Sequence, residues 1–156
     1  MADKDKDIPE DSLKKYKKTI DKPAKATLAW DKDLIFTGST SQGYEIQFVS
    51  EASEKGCKPM DALLLSLAGC MGIDIINILT KMRTIPARFR IEIEGNRNPN
   101  PPQYYTAVTI VLFIAGNIDT KKLERAIALS RDKYCSVYNS LRPDMSLDIR
   151  YVIEDN

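Results

Sequence analysis

Three cysteines and a complete lack of histidine limit the chemistry open to this chain of 156 residues. Without histidine, the Ser-His and Cys-His nucleophile pairs, HExxH zinc sites and His-ligated haem are all excluded. Any catalysis must therefore use cysteine, lysine, arginine, tyrosine or carboxylate side chains. Cys57, which is followed by a lysine, Cys70 and Cys135 are the candidate nucleophiles.

The cysteines differ in their predicted surroundings. Cys70 falls in the middle of a predicted helix with Asp74 one turn later, so a thiolate there needs a nearby cation. Cys135 is predicted to open a short helix between Lys133 and Arg142, and this local geometry favours a thiolate. Two other interpretations stay open. The cysteines could be ordinary buried residues, or the three of them could bind zinc with Asp74, although the chain has no CxxC pair.

A long apolar segment at residues 58–83, KPMDALLLSLAGCMGIDIINILTKMR, is predicted to position Cys70. Pro59 suits the first helical position, Asp61 lies in the first turn, and Lys81 lies in the last turn, as the helix dipole favours. The helix is apolar on nearly every side, so we expect it to be central and buried, with a second subunit as its natural cover. Its polar residues fall on one line, at Ser66, Cys70, Asp74, Asn77 and Lys81.

The other segments predict an α+β fold with mostly antiparallel sheets. Alternating or β-branched runs predict strands at residues 24–30, 34–37, 44–50, 89–94, 104–115 and 145–153. Residues 117–133 and 134–141 are predicted to be helical, with Asp119 or Thr120 as a cap. Residues 1–22 form a charged arm that could be mobile, in which Leu13, Tyr16 and Ile20 share an apolar edge, and residues 23–156 form one domain.

The charge is nearly balanced, with 23 basic and 22 acidic residues, so we expect no binding to nucleic acid or to an anionic membrane. The first residues contain no apolar segment typical of a signal peptide, which predicts a cytoplasmic protein.

Three segments together resemble the OsmC/Ohr family, the osmotically inducible and organic hydroperoxide resistance proteins. They are PMDALLLSLAGCMGIDIINILTKMR, FRIEIEG and IDTKKLERAIALSRDKYCSVYNSLR, followed by a terminal strand. The resemblance covers residues 24–154, with both cysteine motifs in order and 65 residues apart. It implies an OsmC-like intertwined homodimer with long central helices and two sites at the interface.

The resemblance also implies a mechanism. Cys70 would attack an organic hydroperoxide and become a sulfenic acid, and Cys135 would resolve it as a disulfide. Asp61, Asp74 and Asn77 are possible supporting residues. A dithiol such as a lipoyl group or a thioredoxin-like partner would reduce the disulfide, with no metal or organic cofactor.

Several positions depart from the family pattern. The chain has no arginine before Arg83, whereas peroxidase members place one in the early strands, so Lys25, Lys32 or a cation of the other subunit would have to replace it. Met60 stands at the usual glutamate position, and Asp132 and Ser136 replace the histidine and proline of the second motif. The alternative is therefore an OsmC-like redox sensor or small hydrophobic ligand-binding protein without efficient peroxidase activity.

Overall fold

The computed structural model describes residues 13, 16–51 and 55–155. Their contacts divide them into a smaller unit, Lys18–Leu63, and a larger unit that combines the described residues of Met1–Lys17 with those of Leu64–Asn156. Each unit has its own three-stranded sheet. The α+β class with mostly antiparallel sheets is thus confirmed, while the boundary of the charged arm at residue 22 stays a prediction.

The smaller unit contains an antiparallel meander. Its strands are β1 (Ala26–Lys32), β2 (Ile35–Thr40) and β3 (Glu45–Val49). β2 is the middle strand, and Phe36 pairs with both Trp30 of β1 and Phe48 of β3. The predicted meander is confirmed.

The sheet of the larger unit comprises β4 (Arg88–Arg97), β5 (Tyr105–Ala115) and β6 (Ser146–Glu154), with β5 in the middle. β5 pairs antiparallel with β4 and parallel with β6, so Ile110 lies beside Ile93 on one side and Ile149 on the other. Its alternate residues Val108, Ile110, Leu112 and Ile114 are buried. As the middle strand, β5 is covered along both edges and on one face, and this environment favours β-branched residues.

The long helix α1 spans Pro59–Lys81, with Asp61 in its first turn as predicted. Its inner face is buried and consists mainly of Leu67, Met71, Asp74, Ile75, Ile78 and Leu79. On the outer face, Leu65 is 64% and Ile73 69% exposed. A single chain therefore buries only the inner face of α1, and the expected cover of the outer face by a second subunit stays a prediction.

Helix α1 is long and apolar enough to cross a membrane by length and composition alone. Its inner face packs inside the protein, however, and core helices of soluble proteins have the same length and composition.

The second helix, α2 (Thr120–Leu129), continues into a π-helical turn (Ser130–Tyr134) and then a 3₁₀ turn (Tyr138–Ser140). Asp119 is the N-cap, and its carboxylate accepts hydrogen bonds from the backbone N–H groups of Lys121 and Lys122. The change from α-helix to π-helix at Ser130 determines where Cys135 lies.

The N-cap generates a stability prediction. We expect Asp119→Ala to lower the free energy of unfolding by about 1 kcal/mol, because two backbone N–H groups lose their acceptor. Asp119→Ser should lose only a few tenths, since serine also caps. Denaturant titration of both variants measures the difference, and equal losses would contradict the assigned cap.

Candidate functional site

The structure brings Cys70, Asp74 and Cys135 together. The two sulfur atoms and a carboxylate oxygen of Asp74 all lie within 4.8 Å of one another. Cys70 and Asp74 are one turn apart on α1, so their side chains lie on the same side of the helix. Cys135 comes from the end of the π-helical turn. All three residues belong to the larger unit.

The π-helical turn determines where Cys135 points. The backbone N–H of Cys135 donates to the carbonyl oxygen of Ser130 at 2.8 Å, and the chain then becomes extended. The Sγ atom is buried and accepts the backbone N–H of Tyr138 at 3.4 Å. Cys135 thus ends the π-helical turn and, as the sequence predicted, also begins the next turn, because its carbonyl oxygen accepts the backbone N–H of Asn139 at 3.1 Å.

Burial raises the pKa of Cys135, because the thiolate would lose its hydration. The N–H of Tyr138 acts in the opposite direction, and the nearby Cys70 and Asp74 add to the rise. The expectation that local geometry favours a thiolate at Cys135 is therefore wrong. Cys70, by contrast, is only half-buried. The cluster therefore contains one half-buried cysteine and one enclosed cysteine whose raised pKa favours the protonated thiol.

Asp74 is 1% exposed and satisfies its oxygens with three side chains. The hydroxyl of Tyr16 donates to Oδ1 at 2.7 Å, and the hydroxyl of Ser130 donates to Oδ2 at 3.0 Å. The ammonium of Lys17 lies 3.3 Å from Oδ1. A buried carboxylate needs such partners, since burial of an unpaired charge is costly.

Tyr16 packs closely at this site. Its ring meets the ring of Tyr134 edge-on at 5.3 Å between centroids, and the Lys81 ammonium lies 4.9 Å from its ring centre. Burial raises the pKa of Tyr16, and its hydrogen bond to Asp74 raises it further, so the hydroxyl stays a donor.

Tyr16 and Lys17 are site residues that the sequence alone did not predict. The only signal was the predicted apolar edge of the arm. That edge is confirmed for Leu13, which is 8% exposed, and wrong for Ile20, which is 87% exposed. Lys25 and Lys32, the lysines proposed as the activating cation, are both exposed and lie in the smaller unit.

The residues of the predicted polar line along α1 belong to two different sites. Cys70 and Asp74 lie in the thiol cluster, and the residues after them lie elsewhere. Asn77 and Lys81 line a groove of about 870 Å³ between α1 and β4, together with Gly69, Gly72, Ile73, Phe89, Arg90 and Ile91. The Oδ1 atom of Asn77 is buried and has no hydrogen-bond partner among the described residues. Asn77 thus belongs to the groove.

Two other candidate residues lie in the smaller unit. Asp61 is exposed in the first turn of α1, and its supporting role stays a prediction. Cys57 is half-buried, and its thiol donates to the carbonyl oxygen of Lys58 at 3.4 Å.

The cluster offers three donor atoms for a metal ion, from Cys70, Asp74 and Cys135. This donor set differs from the one considered on sequence grounds, because Cys57 is not part of it. Both oxygens of Asp74 already accept hydrogen bonds, and an ammonium lies beside Oδ1. These contacts favour a hydrogen-bonded carboxylate over a metal ligand.

Comparisons with known proteins agree with this fold. A family model described as OsmC-like protein matches residues 52–150, which include Cys70 and Cys135. Protein YhfA of Escherichia coli K12 is 26% identical over 129 residues, which cover 82% of this chain and 96% of YhfA.

Among solved structures, a hypothetical protein from Aquifex aeolicus VF5 is 32% identical with a TM-score of 0.78, covering 86% of this chain and 98% of that one. An organic hydroperoxide resistance protein OsmC from Legionella pneumophila shares the fold at 12% identity, with a TM-score of 0.65 and coverage of 85% and 98%. Because the family model matches more than half of the present chain, this chain belongs to the OsmC-like protein family.

Proposed function

We propose that this protein is a thiol peroxidase that reduces organic hydroperoxides. The observation that carries the proposal is the proximity of the Cys70 and Cys135 sulfur atoms, which lie within 4.8 Å of each other although the residues are 65 positions apart. Membership of the OsmC-like family supports a redox role in general. The peroxidase activity and the roles of the two cysteines are the finer proposal.

Cys70 is the attacking thiol, because it is the less buried member of the pair. Its thiolate forms a bond to one peroxide oxygen while the O–O bond breaks. The leaving alkoxide takes up a proton and departs as an alcohol. The sulfur loses two electrons and becomes a sulfenic acid.

Cys135 is the resolving thiol. Its sulfur attacks the sulfenic sulfur, the S–S bond forms, the S–O bond breaks, and the hydroxide leaves as water with the thiol proton. A disulfide requires sulfur atoms about 2.05 Å apart, so the pair needs only a local movement. Burial suits Cys135 to this role, because a protonated, enclosed thiol does not compete with Cys70 for the peroxide.

An external dithiol, such as a lipoyl group or a thioredoxin-like protein, completes the cycle by reducing the disulfide. The cytoplasm is the compartment in which such reductants keep thiols reduced. The proposed cycle uses no metal or organic cofactor and needs no contact with nucleic acid or a membrane.

A second candidate function is an OsmC-like redox sensor or a small hydrophobic ligand-binding protein. Two observations favour it: the anionic Asp74 beside Cys70 opposes a thiolate, and the groove along α1 has a mainly apolar lining. A sensor would be oxidised at the same cysteines without efficient turnover, whereas a ligand-binding protein would react with peroxide no faster than free cysteine. The rate of oxidation and the number of turnovers together therefore distinguish these functions from a peroxidase.

We also propose that the protein is a homodimer in which a second copy covers the outer face of α1. Leu65 and Ile73 are 64% and 69% exposed there, and both line the groove. Large exposed apolar patches on a soluble chain usually mark an interface. A symmetric dimer buries the same patch on both copies.

Peroxide oxidation is the first test. One equivalent of cumene hydroperoxide should form the Cys70–Cys135 disulfide in the reduced protein, which timed quenching and non-reducing mass spectrometry would detect. Cys70→Ser should abolish peroxide consumption, and Cys57→Ser should leave it unchanged. Equal consumption by Cys70→Ser and the wild type would refute the assignment, and oxidation no faster than that of free cysteine would favour the ligand-binding protein.

The role of Cys135 has its own test. Cys135→Ser should consume one equivalent of hydroperoxide and then stop, because no thiol remains to resolve the sulfenic acid. Dimedone should label Cys70 in this variant after oxidation. Continued turnover with the wild-type rate would show that another group resolves Cys70.

The dimer is tested by analytical ultracentrifugation. The wild type should sediment at twice the 17.6 kDa chain mass, and Ile73→Glu should shift it to the monomer, because it places a charge in the proposed interface. Ile85→Glu is the matched control, since Ile85 is equally exposed and does not line the groove. A monomeric wild type, or identical behaviour of the two variants, would contradict the proposal.

A further inference from the structure

A buried carboxylate beside two thiols is an electrostatic problem for the proposed chemistry. Asp74 is 1% exposed, and one of its oxygens lies within 4.8 Å of both sulfur atoms. Its negative charge opposes the thiolate that Cys70 needs for attack. The effect is strong in a buried site, where neither water nor salt screens it well. Efficient chemistry at Cys70 therefore requires a positive charge near Asp74.

The segment that precedes the first strand supplies that charge. The ammonium of Lys17 lies 3.3 Å from Oδ1 of Asp74 and also contacts the carbonyl oxygen of Tyr134. The adjacent Tyr16 donates its hydroxyl to the same oxygen of Asp74. One short segment thus provides both a cation and a hydrogen-bond donor to a single carboxylate.

This segment is held in place by burial. Leu13 is 8% exposed, and its carbonyl oxygen accepts the backbone N–H of Tyr16 at 3.0 Å. We call Leu13, Tyr16 and Lys17 the N-terminal clamp. Its contacts join α1 to the π-helical turn, through Asp74 on one side and Tyr134 on the other. The clamp is therefore bonded to the elements that carry the two thiols.

We propose that Lys17 is a positioning residue of the thiol site, whose ammonium balances the charge of Asp74 so that Cys70 can ionise. Lys17 does not touch the substrate and acts through Asp74. The ammonium of Lys81 lies 4.9 Å from the ring centre of Tyr16, whereas that of Lys17 is the one that lies beside the carboxylate. The importance for turnover rests on the proposed peroxidase function, but the electrostatic effect on Cys70 does not.

The effect is measured without peroxide, by alkylation of Cys70 in the reduced full-length protein. Neutral iodoacetamide reports the thiolate population, and anionic iodoacetate also reports the local potential. We expect Lys17→Met to slow the alkylation of Cys70 by iodoacetamide about three- to tenfold, because Asp74 is left without its cation. Alkylation by iodoacetate should slow by a larger factor. Peptide mass spectrometry assigns the alkylation to Cys70.

Three further variants separate charge from packing. Lys18→Met removes the neighbouring exposed lysine and should stay within about twofold of the wild type. Lys17→Arg should keep most of the rate, since it keeps the charge. The double variant Lys17→Met/Asp74→Asn removes both charges and should recover the iodoacetamide rate.

Two outcomes would overturn the proposal. Equal alkylation rates for Lys17→Met and Lys18→Met would show that Lys17 supplies no relevant charge. If alkylation of Cys70 is slow in Lys17→Met and equally slow in the double variant and in Lys17→Arg, Lys17 acts through packing instead. Thermal unfolding of each variant identifies loss of folding.

The same variants distinguish this proposal from the peroxidase function. If alkylation depends on Lys17 but the wild type does not consume cumene hydroperoxide, the peroxidase function fails and the clamp stands. If hydroperoxide consumption is fast and independent of Lys17, the clamp fails and the peroxidase function stands.

Discussion

The carboxylate of Asp74 is the constraint on which the thiol site depends. It is enclosed in the larger unit, and the hydroxyls of Tyr16 and Ser130 and the ammonium of Lys17 satisfy it. These partners come from the N-terminal segment and from the end of the second helix. A single buried charge thus ties together three parts of the chain that are distant in sequence. Loss of any one partner would leave an incompletely paired buried charge, which is why such networks are costly to disturb.

Cys70 and Cys135 differ in burial, and this difference matches the different roles proposed for them. Cys135 is enclosed, and its raised pKa favours the protonated thiol, whereas Cys70 is only half-buried. Of the proposed steps, attack on a peroxide needs access and resolution needs only proximity. The π-helical turn produces this arrangement, because it ends at Cys135 and places the sulfur inside the protein.

Much of the fold could be predicted from the sequence, because its signals are local. The apolar run of α1, the alternation in β4 and the β-branched run of β5 each predict their element without knowledge of the rest. The proximity of Cys70 and Asp74 follows likewise from helical spacing. By contrast, Lys17 reaches Asp74 across 57 positions, and no periodicity encodes such a contact. The prediction of a thiolate at Cys135 was wrong for a related reason. The prediction was based on the nearby lysine and arginine, whereas tertiary burial determines the pKa of Cys135.

The two glycines that flank Cys70 connect the thiol site to the outer face of α1. A Cβ atom at Gly72 would lie 3.2 Å from Cδ1 of Ile91, so packing against β4 explains this glycine. A Cβ atom at Gly69 would meet nothing within 4 Å among the described residues, although glycine within a helix costs about 1 kcal/mol relative to alanine. Packing within the described chain therefore gives no reason for Gly69. Gly69 lines the groove, and close approach of a second copy there would explain it. A second copy that covered α1 as proposed would then lie directly beside the residue that precedes Cys70.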